Sequence, residues 1–194
     1  MRILGINCMN HDAAMAVVEI KDGLGKILWA AHAERYSKIK NDHYLNQAIV
    51  DEAMTYGPFK KVVYYEKPWL KKTRQMYAGQ YGTALSYTEL PSWHLDHFGI
   101  KIDEYVKHHD SHAAAGYFTS PFREATILTV DAIGEWDTVS ISTAEKVWIE
   151  RKETIQYPHS IGILYSAFTH RCGLKPAEEE YILMGMAAYG KPKY

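Results

Sequence analysis

Two largely apolar stretches, residues 2–6 and residues 13–20, the second rich in Ala, Val and Ile, read as strands separated by the polar segment 7–12. Lys21, Asp22 and Gly23 supply a turn, and residues 26–33 predict a third strand. Connections this short require antiparallel neighbours, so a three-strand meander is expected. Leu45, Ile49, Val50, Ala53 and Met54 then recur at helical spacing, and Gly57-Pro58 supplies the stop. Residues 61–65 read as a buried strand, and residues 69–81 as a helix with Lys71, Lys72 and Arg74 on its polar side. The order to this point is βββαβα.

After an irregular aromatic passage, residues 102–107 predict a strand and residues 111–118 a short helix. The pattern then restarts with a strand at 125–130, a polar loop at 131–136 and strands at 137–142 and 146–152. A helix follows at 160–171, with Ile161, Leu164, Tyr165 and Phe168 on one face, and another from Pro176 to about Tyr189. Two blocks that open alike predict an internal duplication of a three-layer α/β unit, divided between residues 122 and 123. The second block lacks the βαβα that should follow, which predicts a fragment or a subunit needing a partner. Unpaired sheet edges and an exposed apolar face would favour self-association into a homo-oligomer. In the last helix Pro176 suits the first turn, and Glu178, Glu179 and Glu180 complement the N-terminal dipole, so they read as a capping turn rather than as chemistry.

Composition narrows the functional classes. The 194 residues are 47% hydrophobic and 23% charged, as in an ordinary globular protein. With 22 basic and 23 acidic residues the net charge is −1, which gives no field for gathering nucleic-acid phosphates or docking on a membrane surface. Cys8 and Cys172 lack C-x-x-C spacing, so neither a disulfide framework nor a cysteine zinc cage is expected. The first 18 residues lack a continuous apolar signal region, and no apolar run approaches the ~18 residues of a membrane span. The expectation is a cytoplasmic protein with no nucleic-acid or membrane partner.

The densest chemistry lies in His108-His109-Asp110-Ser111-His112. Residues four apart on a helix are about 40° apart around its axis, so His108 and His112 share a side if the helix begins early enough. A strand-to-helix junction with one buried, hydrogen-bonded imidazole would give the same pattern. The glutamate of an H-E-x-x-H zinc protease is absent. Asp131, at the C-terminal end of an apolar strand, points toward a ligand crevice in an α/β sheet, and two histidines with one carboxylate suit Fe(II) or, less specifically, Zn(II). Alone, a strand-ending Asp serves equally as a turn or cap.

The loops at 7–12 and 131–138 occupy matching places, and paired hairpin loops can hold phosphates through backbone N–H groups. Asn7 and Asp12 in the first and Gly134 in the second are the candidates for substrate or nucleotide binding. Two ordinary hairpins are the alternative. His11 can take a proton from an alcohol near neutral pH, or belong with Asp12 to turn chemistry. Arg35, Lys38 and Lys40 could bind an anionic leaving group or form a solvated face.

Taken in order, several segments make the chain resemble the O-carbamoyltransferases of the nodulation-factor and antibiotic-biosynthesis type. They are Leu4-Gly5-Ile6-Asn7 with His11-Asp12-Ala13-Ala14, Glu34-Arg35-Tyr36-Ser37-Lys38-Ile39-Lys40, Tyr64-Tyr65-Glu66-Lys67-Pro68, His108 through Ala114, Ser120-Pro121-Phe122, Asp131 with Gly134-Glu135, and Met184-Gly185-Met186-Ala187-Ala188-Tyr189-Gly190. The resemblance implies an actin-like ATPase fold of the sugar-kinase and Hsp70 type, a duplicated ribonuclease H-like βββαβα unit with its second half incomplete, related to the tRNA threonylcarbamoyl transferases. It implies that carbamoyl phosphate and ATP give carbamoyl adenylate in a C-terminal domain or subunit. The N-terminal domain then passes the carbamoyl group to a hydroxyl of a small metabolite or sugar.

In that family pattern His108, His112 and Asp131 match the metal ligands, with Fe(II) the first expectation and Zn or Mn the alternatives. His11 matches a general base, while Asn7, Asp12, Arg35, Lys40 and Gly134 stay the candidate substrate or nucleotide contacts read from the residues themselves. Ala132 stands where the family usually has Gly, Ile182 where many members have Lys, and Met-Gly-Met-Ala replaces Met-Gly-Leu-Ala. A further metal-binding Asp is expected beyond Tyr194, and without it the chain would bind metal weakly and could be inactive. An actin-like kinase or ATPase lobe, and a non-catalytic partner module of the same fold, are the rival expectations.

Overall fold

Alternating burial marks the first two strands, β1 (Arg2–Asn7) and β2 (Ala14–Lys21), and β3 (Leu24–His32) pairs with β2 at the edge of the sheet. The cross-strand pairs Leu4 with Val17 and Ile6 with Met15 put four apolar side chains on one buried face. Asp22 and Gly23 both take positive φ, 53° and 77°, the two-residue turn whose twist suits antiparallel strands, and Lys21 pairs with Leu24 across it. The computed structural model describes residues 1–193. It divides into two compact units, Met1–Ser111 and the residues from His112 onward.

In the first unit α1 (Glu34–Ser37) stops at Lys38, which is left-handed with φ 61°. Helix α2 (Gln47–Met54) starts where the Asn46 side chain accepts a hydrogen bond from the Ile49 N–H at 3.2 Å, and it buries Ile49, Val50 and Ala53. Strand β4 (Lys61–Tyr64) lies parallel to β1, and the short β5 (Glu104–Tyr105) parallel to β4. The sheet order is therefore β3-β2-β1-β4-β5, with the meander antiparallel and the rest parallel. The core gathers Leu4, Ile6, Cys8, Met15, Val17, Ile49, Tyr64 and Leu95.

Between β4 and β5 the single helix expected at 69–81 is two, α3 (Pro68–Tyr77) and α4 (Tyr81–Leu85), because Gly79 adopts φ 75° and ends the first. The aromatic passage contributes α5 (Pro91–Asp96), opened by its proline. Helix α6 (His108–Phe118) begins at His108, three residues earlier than its sequence pattern indicated, and the division between the units falls within it.

The second unit contains the antiparallel meander β6 (Glu124–Gly134), β7 (Asp137–Glu145) and β8 (Trp148–Gln156), in that spatial order, followed by α7 (Ile161–Arg171) and α8 (Glu180–Ala187). Central β7 buries Asp137, whose carboxylate accepts hydrogen bonds from Arg151 and, at 2.9 Å, from Gln156. The loop expected at 131–136 is mostly strand: β6 continues to Gly134, bulged after Val130, and turns at Glu135 with φ 61°. The last helix starts at Glu180 rather than Pro176, because Ala177 is left-handed at φ 64°. There Glu179 accepts from the Lys175 N–H and Glu180 from the Ala177 N–H, both at 2.7 Å, so these glutamates do cap a turn. Among the described residues no helix is long and apolar enough to cross a membrane.

Candidate metal centre and its surroundings

Two elements, α6 and β6, carry the histidine and carboxylate candidates. Because α6 starts at His108, His108 and His112 stand one turn apart on a single continuous helix. Asp131 sits on the bulged part of β6, and its Oδ2 lies 3.9 Å from the Nε2 of His112. That separation exceeds a hydrogen bond. Two donors each about 2.0–2.2 Å from one ion would stand about 3–3.6 Å apart in ordinary geometries, so a small closure admits a cation between them. His108 lies one turn earlier on the same helix.

The bulge is held from the second unit's own framework. Asp131 Oδ1 accepts the Ala132 N–H at 2.7 Å, fixing the carboxylate against its own backbone. The Ser160 hydroxyl lies 2.7 Å from the Ala132 carbonyl oxygen and 3.3 Å from that of Asp131, and accepts the Ile163 N–H at 3.0 Å as the cap of α7. Gly162 makes the approach feasible: a Cβ there would lie 2.6 Å from the Ala132 Cα and N and 2.7 Å from the Asp131 carbonyl oxygen. Nothing in the sequence pattern assigns Ser160 or Gly162 to holding Asp131, or Glu66 to a place beside His108. A serine two residues before a glycine at a helix start was the available signal for the first two.

Glu66 is buried just after β4. Lys71 donates to its Oε1 at 2.9 Å, and its Oε2 stands 3.6 Å from the Nδ1 of His108. Burial pushes the Glu66 carboxyl upward, but His108 and the Lys71 ammonium outweigh it and leave its pKa below the ordinary value. Ser111 donates to the Tyr65 carbonyl at 2.7 Å, fastening the first turn of α6 to the same segment.

In the first loop His11 and Asp12 form an exposed pair, Nδ1 to Oδ2 at 2.9 Å, and Asn7 donates to the Asp12 carbonyl at 3.1 Å. The loop is tied to residues 42 and 43 through the Met9 N–H, at 2.8 Å from the His43 carbonyl, and the Ala13 N–H, at 2.7 Å from that of Asp42. Asn7, His11 and Asp12 are thus brought together. Arg35 is 78% exposed and pairs only loosely with Glu34 at 3.9 Å, while Lys40 lies exposed after α1. Gly134 is buried at the end of β6, paired with Asp137, and the positive φ of that turn falls on Glu135.

Comparison with known proteins identifies relatives of the chain. Residues 65–194 match the family model described as Carbamoyltransferase N-terminus. An uncharacterized protein of Synechocystis sp. is 34% identical over 99% of this chain and 35% of its own length. The nodulation protein NolNO of Sinorhizobium fredii is 24% identical over 96% of this chain and 29% of its own length. The chain thus spans about a third of the length of these curated relatives. A solved PPX-GPPA enzyme of Aquifex aeolicus aligns with 99% of this chain and 65% of its own at 14% identity and a TM-score of 0.44.

Proposed function

The chain belongs to the carbamoyltransferase N-terminus family, whose model matches residues 65–194, and from that premise we propose that it forms the acceptor-side part of a metal-dependent O-carbamoyltransferase. The carbamoyl group comes from carbamoyl adenylate, made from carbamoyl phosphate and ATP by residues outside this chain. It passes to a hydroxyl of a small metabolite or sugar. His108, His112 and Asp131 are the proposed ligands of a divalent metal, Fe(II) first among the candidates. The observation that carries the reading is the approach of His112 Nε2 and Asp131 Oδ2 to 3.9 Å, with His108 one turn earlier on the same helix. A neutral imidazole pair with one carboxylate suits a mid-row divalent cation and leaves positions open for substrate oxygens.

The metal, when bound, supplies Lewis acidity toward the carbamoyl carbonyl. His11 takes the proton of the acceptor hydroxyl as that oxygen bonds to the carbamoyl carbon and the bond to the adenylate phosphate oxygen breaks, releasing AMP. Asp12, 2.9 Å from the Nδ1 of His11, holds the ring so that Nε2 is the base and steadies the imidazolium that forms. Asn7 fixes the loop carrying this pair through its bond to the Asp12 carbonyl. Asn7, Asp12, Arg35, Lys40 and Gly134 remain the proposed contacts to substrate or nucleotide. ATP and carbamoyl phosphate are the proposed co-substrates, an adenylate-forming domain or subunit is the proposed partner, and the cytoplasm the proposed location.

Anaerobic calorimetric titration of the metal-free chain with Fe(II), beside His112→Ala, tests the proposal. One binding site that the substitution abolishes supports it. Absence of binding, or binding untouched by His112→Ala, counts against it, and ATP binding insensitive to the substitution would turn the reading toward a kinase-type lobe.

A further inference from the structure

A metal-binding imidazole needs its other ring nitrogen held, or the ring rotates and the wrong tautomer turns its N–H toward the ion. The first unit supplies a group placed for this. Glu66 is 4% exposed, an unusual setting for a carboxylate unless its charge is matched. Oε1 accepts from the Lys71 ammonium at 2.9 Å, which keeps the carboxylate ionised, while Oε2 faces the Nδ1 of His108 at 3.6 Å. The Tyr65 ring meets the His108 ring edge-on at 5.2 Å between centroids, limiting its rotation. Ser111, bonded to the Tyr65 carbonyl, keeps this turn of α6 against the segment that carries Glu66.

We propose that Glu66 is the positioning residue for His108: its carboxylate accepts the Nδ1–H, fixes the Nε2-bare tautomer, and presents Nε2 as a metal donor. The proposal rests on His108 being a metal ligand, as argued above. Glu66 does not touch the ion. Lys71 sets its charge, forming a relay from ammonium to carboxylate to imidazole. Partners of this kind, when removed, typically lower metal affinity about 10- to 100-fold without removing the site.

The test uses Co(II), whose visible absorption reports its ligands, titrated into the metal-free wild type, His112→Ala, Glu66→Gln and Glu66→Asp. The expected result is a Co(II) spectrum in the wild type, none in His112→Ala, affinity reduced about tenfold or more with a shifted spectrum in Glu66→Gln, and partial recovery in Glu66→Asp. A wild type that binds, a His112→Ala that does not, and a Glu66→Gln with unchanged affinity and spectrum overturn the positioning role alone. A wild type that does not bind Co(II) overturns the metal reading and this inference with it. Nitrogen-15 NMR of the metal-free wild type adds a readout independent of folding of the variants: His108 should carry its proton on Nδ1, and a proton on Nε2 overturns the proposal.

Discussion

Gly162→Ala is the substitution whose effect follows most directly from the packing around Asp131. The added methyl would lie 2.6 Å from two backbone atoms of Ala132 and 2.7 Å from the Asp131 carbonyl oxygen, so no flexible side chain can yield. Restoring even a tight 3.4 Å contact requires about 0.8 Å of separation between the start of α7 and the β6 bulge. Overpacking of this kind costs about 1–3 kcal/mol, and replacing Gly by Ala in a helix returns roughly 0.5–1. The net is a loss of about 1–2 kcal/mol. With a urea dependence of about 1–3 kcal/mol per molar, the unfolding midpoint should fall by roughly 0.3–2 M. The same displacement moves the Asp131 backbone, so Co(II) affinity should fall as well. Gly116→Ala on α6 is the control, since a Cβ there meets nothing within 4 Å and should stabilise. A Gly162→Ala variant that gains stability like the control would refute the argument that α7 braces Asp131.

Other consequences are open to simpler measurements. Cys8 is buried, which pushes its thiol up to about 12, whereas Cys172 is exposed; a thiol reagent at pH 8 should label Cys172 alone, and Cys172→Ser should leave no rapidly reacting thiol. Hydrogen bonds from Tyr36 at 2.6 Å and Trp29 at 2.9 Å hold the exposed Glu52 carboxyl below its ordinary value. The stability this contributes is full above the unfolded carboxyl pKa and is lost as pH falls through the lower folded one, so urea midpoints of Glu52→Gln between pH 6 and 3 should fall less steeply than those of the wild type. Arg151→Ala strips the ion-pair partner from buried Asp137; because Gln156 still donates, the cost should lie near the low end of roughly 3–5 kcal/mol, read by the same denaturation.

The part of the fold set by local chemistry was legible in the chain. Asp22-Gly23 announces the β2–β3 turn, and the apolar periodicity of α2 shows which side is buried. What escaped depends on distant atoms. The bulge that extends β6 through Asp131 reflects contacts from Ser160 and Gly162, some thirty residues later, and nothing in the segment at 131–136 distinguishes it from a polar loop. The break between α3 and α4 turns on the left-handed Gly79, a residue that helices also tolerate in their interiors. His108 and His112 stood out by their spacing, whereas Glu66 comes beside His108 only when β4 and α6 are folded.

The proposed centre consists of one ion and three protein donors. Anomalous diffraction at the iron edge, from crystals of this chain grown anaerobically with Fe(II), addresses it directly. The account predicts a single strong peak bonded to His108, His112 and the Asp131 carboxylate, lost in His112→Ala. A peak on other residues, or none at saturating Fe(II), would contradict it.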